Sequence, residues 1–454
     1  MNYSKTIITL VALAVAGVAA AAPTADEAKQ LGTTLTPWGA EKAGNKEGTI
    51  PEYTGGVKNP PKYDYKTGIL RDPFPDDKPL FRVDAKNMDK YADKLTPGVQ
   101  VMLKKYPDMF VDVYPTRRSV SYPQDVLDNS AKNATRCSLS ADGNTLDISK
   151  GCRFGLPFPI PKTGPEAVWN LINAYWGPAR LRQFSGLLVK PNGEIVLTST
   201  VFNYEDNQLY DKAIPNPWLH WQMKSEYLAP TRNVGNANLI QDTLKNQERR
   251  AWAYSTASRR TRLAPDYAAD MLIATSGGSQ TYDQINLFVG TLERFDWKLV
   301  GKKEMYIPYN NYRLQDSPPK ECTPNGGLLQ PNHFNSKCIR FELHRVWHVQ
   351  ATLKQGKHHI FSKRDFYLDE DSWQGGIAEC NDLNGKPYIA QWTLLNPDYV
   401  KHAPLSSSVY PNFDLNSGVY LHSAILKAWA LDEPYRNFTA DNVPSFVFTD
   451  PPNH

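Results

Sequence analysis

The longest regular pattern in this chain is an alternation of apolar and polar residues that runs from Ile339 to Leu353. Because successive side chains of a β-strand point to opposite faces, the pattern predicts one long strand with an apolar and a polar face. The apolar series is interrupted only by Arg345 and comprises Ile339, Phe341, Leu343, Arg345, Trp347, Val349, Ala351 and Leu353. Gln355–Gly356–Lys357 then leads into a second run, His358–Asp369, which predicts a β-hairpin. Strands of this length suit a strongly curved sheet that closes over a hydrophobic interior.

Other strand signals place this hairpin in a larger sheet. Pro191–Asn192–Gly193 is a strong hairpin turn signal between two further β-like runs. The predicted strands are Phe184–Lys190, Glu194–Tyr204, Trp218–Leu228, Arg250–Ala257, Leu287–Ile307, Cys338–Lys354, His358–Asp369 and Lys386–Asn396. Hairpins in succession favour antiparallel pairing. We therefore expect a mainly β (α+β) fold whose main antiparallel sheet spans residues 183–400.

The N-terminal part of the mature chain is rich in proline, glycine and charged residues. Within residues 22–110, motifs such as Asn59–Pro60–Pro61 cannot continue a helix or a strand. We predict an extended, ordered wrap over the core, with short helices at Asn87–Lys94 and Pro97–Lys105. A third helix is predicted at Glu166–Tyr175. No internal repeat is visible, so residues 22–454 are expected to form a single β-rich domain.

The first residues of the chain have the pattern of a secretory signal peptide. Lys5 precedes an apolar run from Ile7 to Ala22, and small residues at Ala19 and Ala21 predict cleavage after Ala21. The alternative is a membrane-spanning helix, which needs about 20 apolar residues. Residues 1–21 are thus expected to direct the protein to the periplasm, with no cysteine near the cleavage point to make it a lipoprotein. No later apolar run approaches membrane-spanning length.

Charge and cysteine usage exclude some functions and predict two cross-links. The formal net charge of +4, without a basic stripe, argues against a nucleic-acid partner. In an oxidising compartment, Cys137 with Cys152 and Cys322 with Cys338 are expected to form disulfides that clamp short loops. The spacing of these cysteines disfavours a metal site. Cys380 is left over and is expected to be a buried, inert thiol.

Catalytic motifs are missing from the sequence. It contains no GxSxG, HExxH, GxGxxG, Walker-type loop or CxxC, so we predict neither an enzyme nor a cofactor. His344 and His348 share a strand face but would lie roughly 13 Å apart, too far to bind one metal ion together. Asp369–Glu370–Asp371 is expected to be a solvated loop or a turn cap, with a calcium loop or an acid–base pair as the alternatives.

A ligand site is predicted on the apolar face of the long strand. The predicted ligand-binding residues are Phe341, Leu343, Arg345, Trp347, Val349, Trp252 and Tyr254. Arg345, the one charge on that face, is expected to meet an acidic group of the ligand. Two alternatives stay open: the apolar face packs against a helix, and Arg345 forms a buried salt bridge with an acid on a neighbouring strand.

A group of arginines brackets the strand-like segment Trp252–Ala253–Tyr254. The group comprises Arg249, Arg250, Arg259, Arg260 and Arg262. Arginine beside aromatic residues suits anionic head groups, carboxylates or an acidic partner surface. The alternative is that these arginines form internal salt bridges with neighbouring acids.

Longer strings of the sequence resemble a known bacterial family. They are Arg249–Tyr254 with Arg259–Pro265, Phe295–Asn310, and His344–Trp347 with Lys363–Trp373. Together they resemble the family catalogued as domain of unknown function 1329, often labelled outer-membrane lipoprotein-sorting proteins. The resemblance implies a LolA/LolB/LppX-like fold: a strongly curved antiparallel sheet forming an unclosed barrel, with helices over its open side and a hydrophobic cavity between. It carries over no catalytic residues.

The resemblance also implies a function in transport. Relatives with that fold carry lipids or lipoproteins through the periplasm, and the family's genes neighbour RND-type exporters and an outer-membrane family. We expect a periplasmic binding or carrier protein that moves a lipid or other hydrophobic molecule between the inner and outer membranes. The alternatives are an exported hydrolase and a ligand-free scaffold subunit of an envelope export complex.

Overall fold

A computed structural model of the protein describes residues 23–244, 249–276, 278–405 and 407–434. The predicted signal peptide, residues 1–21, and its cleavage point lie outside these ranges. Within them, no helix combines the length and the apolar character needed to cross a bilayer.

Strands dominate the described part of the chain. The helices are α1 (Ala25–Ala28), α2 (Pro97–Lys105), α3 (Gln124–Arg136) and α4 (Gly164–Ile172). The strands are β1 (Phe81–Asp84), β2 (Phe110–Tyr114), β3 (Ser138–Leu139), β4 (Leu146–Asp147), β5 (Ala179–Val189), β6 (Ile195–Asp206), β7 (Leu219–Ala229), β8 (Ala237–Thr243), β9 (Arg250–Ser255), β10 (Arg260–Leu263), β11 (Phe295–Pro308), β12 (Phe341–Leu353), β13 (Lys363–Asp369), β14 (Gly376–Asn381), β15 (Pro387–Trp392), β16 (Asn412–Asp414) and β17 (Tyr420–Leu431).

Fifteen of these strands form one sheet that does not close. The order is β1-β2-β12-β13-β14-β15-β16-β17-β5-β6-β7-β8-β9-β10, and β11 also pairs with β12. All pairs are antiparallel except β2 with β12. Among the described strands, β1 pairs only with β2, β10 only with β9 and β11 only with β12, so three edge strands stay open. The predicted mainly β fold, an unclosed barrel, is confirmed.

Cross-strand partners define the side of the sheet that we call the inner face. A row of cross-strand partners begins at Val349 on β12. Each residue of the row is the partner of the one before it: Phe366, Ala378, Gln391, Asn412 and Leu421. On β17, Ile425 lies on the same face as Leu421, because the two are four residues apart. Ile425 begins a second row of successive partners, formed by Phe184, Val201 and Tyr227. Because faces alternate along a strand, these residues share one side of the sheet.

The inner face is covered by the connection between β10 and β11. This covering segment comprises residues 264–276 and 278–294. Phe288 contacts Phe366 with ring centroids 6.1 Å apart, and the Asp283 carboxylate lies 2.7 Å from the guanidinium of Arg364. A strand was predicted at Leu287–Ile307, but in the structure the strand starts only at Phe295, after the covering segment. Residues 287–292 are instead buried coil that packs on the sheet.

Helix predictions agree with the structure where proline and capping signals are strong. α2 has the predicted bounds, and Thr163 caps α4 with a capping box to Glu166. The third predicted helix ends earlier than expected, at Ile172, and Met88–Lys94 is a 3-10 helix. α3 was not predicted. The sheet also extends beyond residues 183–400, since β1, β2 and β17 belong to it.

The proline-rich N-terminal part is an ordered wrap, as predicted. The backbone N–H of Gly98 in α2 donates to Glu379 on β14 at 2.8 Å, and Lys105 donates to the carbonyl of Leu415 at 2.7 Å. Further along the molecule, the hydroxyl of Tyr65 donates to the carbonyl of Ala430 on β17. These contacts join the wrap to strands far apart in the sheet.

Both predicted disulfides are present. Cys137 is bonded to Cys152 and Cys322 to Cys338, each across a short loop. Cys380 is a buried free thiol, and burial raises its pKa to about 12. A thiol with that pKa stays protonated at neutral pH, which fits the prediction that it is inert.

Candidate functional site

A cavity of about 140 Å³ lies between the inner face and its cover. The sheet contributes residues of β5, β6, β7, β8 and β17, and the cover contributes five residues between Ile273 and Asn286. Val409 and Tyr410, which precede β16, complete the lining. The lining residues are Arg182, Phe184, Gly186, Thr198, Ser199, Val201, Asn203, Met223, Ser225, Tyr227, Asn238, Ile273, Gln280, Tyr282, Ile285, Asn286, Val409, Tyr410, Leu421, Ser423 and Ile425.

The cavity exists because the inner face carries small residues here. Gly186, Ser199, Ser225 and Ser423 stand on adjacent strands of this region. At β12 and β13 the same face carries large side chains such as Phe366, which fill the space under the cover. A change from large to small side chains along one face therefore leaves room between sheet and cover.

One charged side chain, that of Arg182, borders the cavity, and it belongs to a buried network. Arg182 and the fully buried Arg180 both bind the carboxylate of Glu205. Burial alone would raise the pKa of Glu205, but the two guanidinium groups hold it well below its usual range. Asn286 of the cover donates to the same carboxylate at 2.9 Å. This network fixes the cover to β5 and β6.

Three buried polar atoms at the cavity have no hydrogen-bond partner among the described residues. They are Nε of Arg182, Oδ1 of Asn203 and Oδ1 of Asn238. The three side chains are between 4 and 7% exposed. Buried polar atoms are normally satisfied, so these atoms are suited to bind water or a polar group of an enclosed molecule.

An open groove of about 750 Å³ adjoins the cavity at the free edge of the sheet. Both are lined by Thr198 and Tyr227, so the groove and the cavity are neighbours at these two residues. The groove is lined by Leu188, Val196, Leu197, Thr198, Tyr227, Arg232, Asn233, Asn236, Ala237, Ala253, Tyr254, Ser255, Ser258, Arg260, Arg262, Tyr267 and Ala274. Burial raises the pKa of Tyr227 well above its usual value, which keeps the phenol at this junction neutral.

Groups suited to acid–base catalysis lie elsewhere. Among the described lining residues of the cavity and the groove there is no carboxylate, histidine, cysteine or lysine. Histidine–carboxylate pairs do occur, as between His348 and Asp365 at 2.8 Å and between His359 and Asp283 at 3.1 Å. These pairs are buried parts of the protein's framework and border neither space.

The residues predicted on β12 lie in the packed core rather than at the cavity. Phe341, Leu343 and Val349 are at most 4% exposed and belong to the main hydrophobic cluster. Trp347 stacks on Trp373 with ring centroids 5.9 Å apart. None of these residues lines the cavity or the groove. The open alternative of a packed apolar face describes this arrangement, and a ligand-binding role for these residues stays a prediction.

Arg345 is buried and held by two ion pairs, of which only the one with Glu370 is buried on both sides. Its guanidinium lies 3.5 Å from Glu41 of the wrap and 3.5 Å from Glu370. It also donates to the carbonyl of Ala43 at 3.0 Å. The geometry matches the salt-bridge alternative, with partners from the wrap and from the turn after β13.

Trp252 and Tyr254 occupy the side of the sheet opposite the inner face. Their neighbour Ala253 is the cross-strand partner of Asn238, which lines the cavity, so alternation turns both aromatic side chains outward. Trp252 packs with a separate cluster that includes Leu239 and Trp429. Tyr254 borders the groove. The structure therefore separates these two aromatics from the core face of β12.

The predicted arginine group divides into different environments. Arg249 is buried and binds Asp242 through two hydrogen bonds of 2.7 Å, which matches the internal salt-bridge alternative. Arg250 is exposed and its guanidinium lies over Trp218 and Trp252. Arg259, Arg260 and Arg262 are exposed, and the last two line the groove.

Asp369–Glu370–Asp371 is not a solvated loop, because the three residues are at most 3% exposed. Asp369 does cap the turn, accepting from the backbone N–H and the hydroxyl of Ser372 at 2.9 and 2.8 Å. The guanidinium of Arg118, from the connection between β2 and α3, binds both oxygens of Asp371. Arg118 could not be recognised as a partner from sequence, since it lies some 250 positions away.

Ligand atoms of His344, Asp369 and Asp371 lie within 4.8 Å of one another, the spacing of a metal site. The Asp371 carboxylate is, however, already neutralised by Arg118. His344 instead interacts with Glu342 at 3.1 Å and stacks on Tyr309. Ion pairs thus hold Asp371 and His344 within the framework of the protein.

The fold and site define a β-rich protein with an unclosed barrel, a covered inner cavity and an arginine-lined groove at its open edge. The profile of the family "Protein of unknown function (DUF1329)" matches residues 82–443. An uncharacterized protein of Pseudomonas aeruginosa is 40% identical over 407 residues, which cover 88% of this chain and 88% of that protein. The chain belongs to the DUF1329 family.

Solved structures offer weaker likenesses. A domain from Vibrio parahaemolyticus named as an outer membrane lipoprotein-sorting protein is 11% identical, covers 62% of this chain and 95% of that domain, and has a TM-score of 0.41. A LolA superfamily protein from Nitrosomonas europaea is 9% identical; the match covers 62% of this chain and 98% of that protein, with a TM-score of 0.37.

Proposed function

We propose that this protein is a periplasmic binding protein that holds a hydrophobic molecule between its inner face and its cover. The observation that carries the proposal is the cavity between the sheet and its cover, together with the groove that adjoins it at Thr198 and Tyr227. Transfer of the molecule between the inner and outer membranes, with an RND-type exporter and an outer-membrane protein as partners, belongs to the same proposal.

The volumes of the cavity and the groove suit a molecule that lies partly in each. An engineered cavity of about 150 Å³ in another protein binds benzene, so the inner cavity, at about 140 Å³, has room for one ring or a short chain segment. The groove, at about 750 Å³, falls in the roughly 300–1,000 Å³ range of small-molecule sites. The bound molecule would therefore extend from the groove into the cavity.

Apolar contact supplies the affinity in this proposal. Phe184, Val201, Met223, Leu421 and Ile425 present apolar side chains to the cavity. Each methylene group removed from water contributes about 0.8 kcal/mol, so four enclosed methylenes would contribute about 3 kcal/mol. Such binding requires no catalytic group, and the described lining residues offer no acid–base pair. Binding is therefore favoured over hydrolysis.

Titration with a fluorescent fatty acid probe tests the proposal. Ser225→Phe and Ser423→Phe place a ring in the cavity from two different strands, so both should lower probe affinity strongly. Ser149→Phe is the matched control, because Ser149 is exposed in the loop between Cys137 and Cys152. Circular dichroism checks that each variant is folded. Absence of probe binding to the wild-type protein, or equal binding by all three folded variants, contradicts the proposal.

A further inference from the structure

The groove carries arginines from two sides and no acid among its described lining residues. Arg260 and Arg262 stand on the edge strand β10, and Arg232 stands in the turn between β7 and β8. Three positive charges that line one concave space attract anions and raise their local concentration. The charge of the groove's lining residues is therefore positive.

Strand register directs the β10 arginines into the groove. Arg262 is the partner of Ala253, and Arg260 is the partner of Ser255. Ala253 is in turn the partner of Asn238, which lines the cavity, so Arg260 and Arg262 stand on the inner face. The apolar residue between the cavity and these charges is Ala253, which is too small to separate them.

Two of these arginines have no ion-pair partner in the part of the chain that the structure describes. Neither Arg232 nor Arg260 lies within salt-bridge distance of a described carboxylate, and both are exposed. Arg249, directly before β9, shows the contrast, because its side chain is buried and bound on two nitrogens by Asp242. Arg232 and Arg260 are thus available to a ligand.

We infer that the groove binds the anionic head group of an amphiphile whose apolar body passes Thr198 and Tyr227 into the cavity. The inference rests on the proposed function and names its ligand class: one carboxylate or phosphate on an apolar body. Guanidinium groups bind such anions through paired hydrogen bonds. This orientation keeps the charge in contact with water while the body is enclosed, which avoids the cost of burying an ion.

Displacement of a neutral fluorescent probe by dodecanoate, dodecyl phosphate and dodecanol tests the inference. The three ligands share one chain and differ in the head group. Exposed ion pairs are individually weak, but two guanidinium groups act on one head group, so at least one of the two anions should bind roughly threefold or more tightly than dodecanol. The better anion identifies the head group as carboxylate or phosphate. Its advantage should shrink as salt is raised, since exposed charges are screened.

Charge reversal locates the head group. Arg232→Glu with Arg260→Glu should remove the advantage of the anions while leaving dodecanol and the neutral probe unaffected. Arg250→Glu is the matched control, because Arg250 is exposed on the neighbouring strand over Trp218 and Trp252, outside the groove. It should change none of the affinities.

The outcomes separate the inference from the proposed function. If the neutral probe binds but dodecanol competes as well as both anions, the inference is overturned and the binding function stands. If the anions are favoured but the double variant behaves like Arg250→Glu, the groove is not the head-group site and the inference is again overturned. If neither probe nor ligand binds, the proposed function fails as well.

Discussion

The carboxylate of Asp283 holds the covering segment to the sheet, and its removal offers a sharp test of how the cavity is built. Its Oδ2 accepts from Arg364 Nη1 at 2.7 Å and interacts with His359 Nε2 at 3.1 Å. Its Oδ1 accepts from the Thr281 hydroxyl at 2.6 Å. Arg364 is fully buried among the rings of Phe288, Phe295, Phe361 and Phe366. Asp283→Asn therefore leaves a buried guanidinium without its counter-charge.

The expected loss follows from these contacts. Removing one partner of a buried ion pair costs about 3–5 kcal/mol. Asparagine keeps one acceptor oxygen, and Arg364 retains the carbonyl of Leu287 at 3.3 Å. We therefore expect a loss at the lower end of that range, about 3 kcal/mol of unfolding free energy. Adding Arg364→Met removes the unpaired charge and should restore part of this loss.

Urea unfolding followed by tryptophan fluorescence measures the effect. Asp296→Asn is the matched control: this side chain is 75% exposed and lies 4.0 Å from Lys354, so its loss should stay within about 0.5 kcal/mol. Asp283→Asn should also weaken probe binding, because the cover is less firmly held. If Asp283→Asn unfolds at the same urea concentration as Asp296→Asn, the anchoring role is refuted.

Three further predictions concern the framework. Replacing Cys137 and Cys152 with serine opens a loop closed over 15 residues and should lower the unfolding free energy by about 3 kcal/mol in urea titrations; an unchanged midpoint would contradict this. Leu343→Ala should cost about 2–5 kcal/mol yet leave probe affinity unchanged, whereas a ligand-lining role predicts an affinity loss in the folded variant. Burial raises the pKa of Glu379 to about 7, so its contribution to stability is complete at acid pH and falls by roughly 3 kcal/mol between pH 4.5 and pH 7. Glu379→Gln should flatten that decline in pH-dependent unfolding, and an unaltered slope would exclude Glu379 as its source.

Much of the fold could be predicted because the strongest local patterns in the sequence, alternation and glycine-containing turns, mark strands and hairpins. The alternation from Ile339 to Leu353 became the long strand β12, and both glycine-containing turns became hairpins. Weak signals were missed: β17 lies in a segment without clear alternation, yet it pairs with β5 over its whole length. Its place in the sheet depends on partners far away in the chain.

The candidate site was harder to predict for a physical reason. Large apolar residues, which mark a core in sequence, fill space, while a cavity arises where a face carries small ones. Ser199, Ser225 and Ser423 resemble ordinary surface residues until strand register brings them together. The arginine group was visible in sequence, but only the structure separates Arg249, bound to Asp242, from Arg260 at the groove.

Native mass spectrometry tests the central claim most directly. The protein would be extracted gently from cells of its own organism and measured without organic solvent. The account predicts a population heavier than the polypeptide by the mass of a small amphiphile, and Ser225→Phe should deplete that population while Ser149→Phe preserves it. A spectrum with only the mass of the bare polypeptide, from protein that also fails to bind the fatty acid probe, would contradict the claim that this barrel holds a hydrophobic molecule.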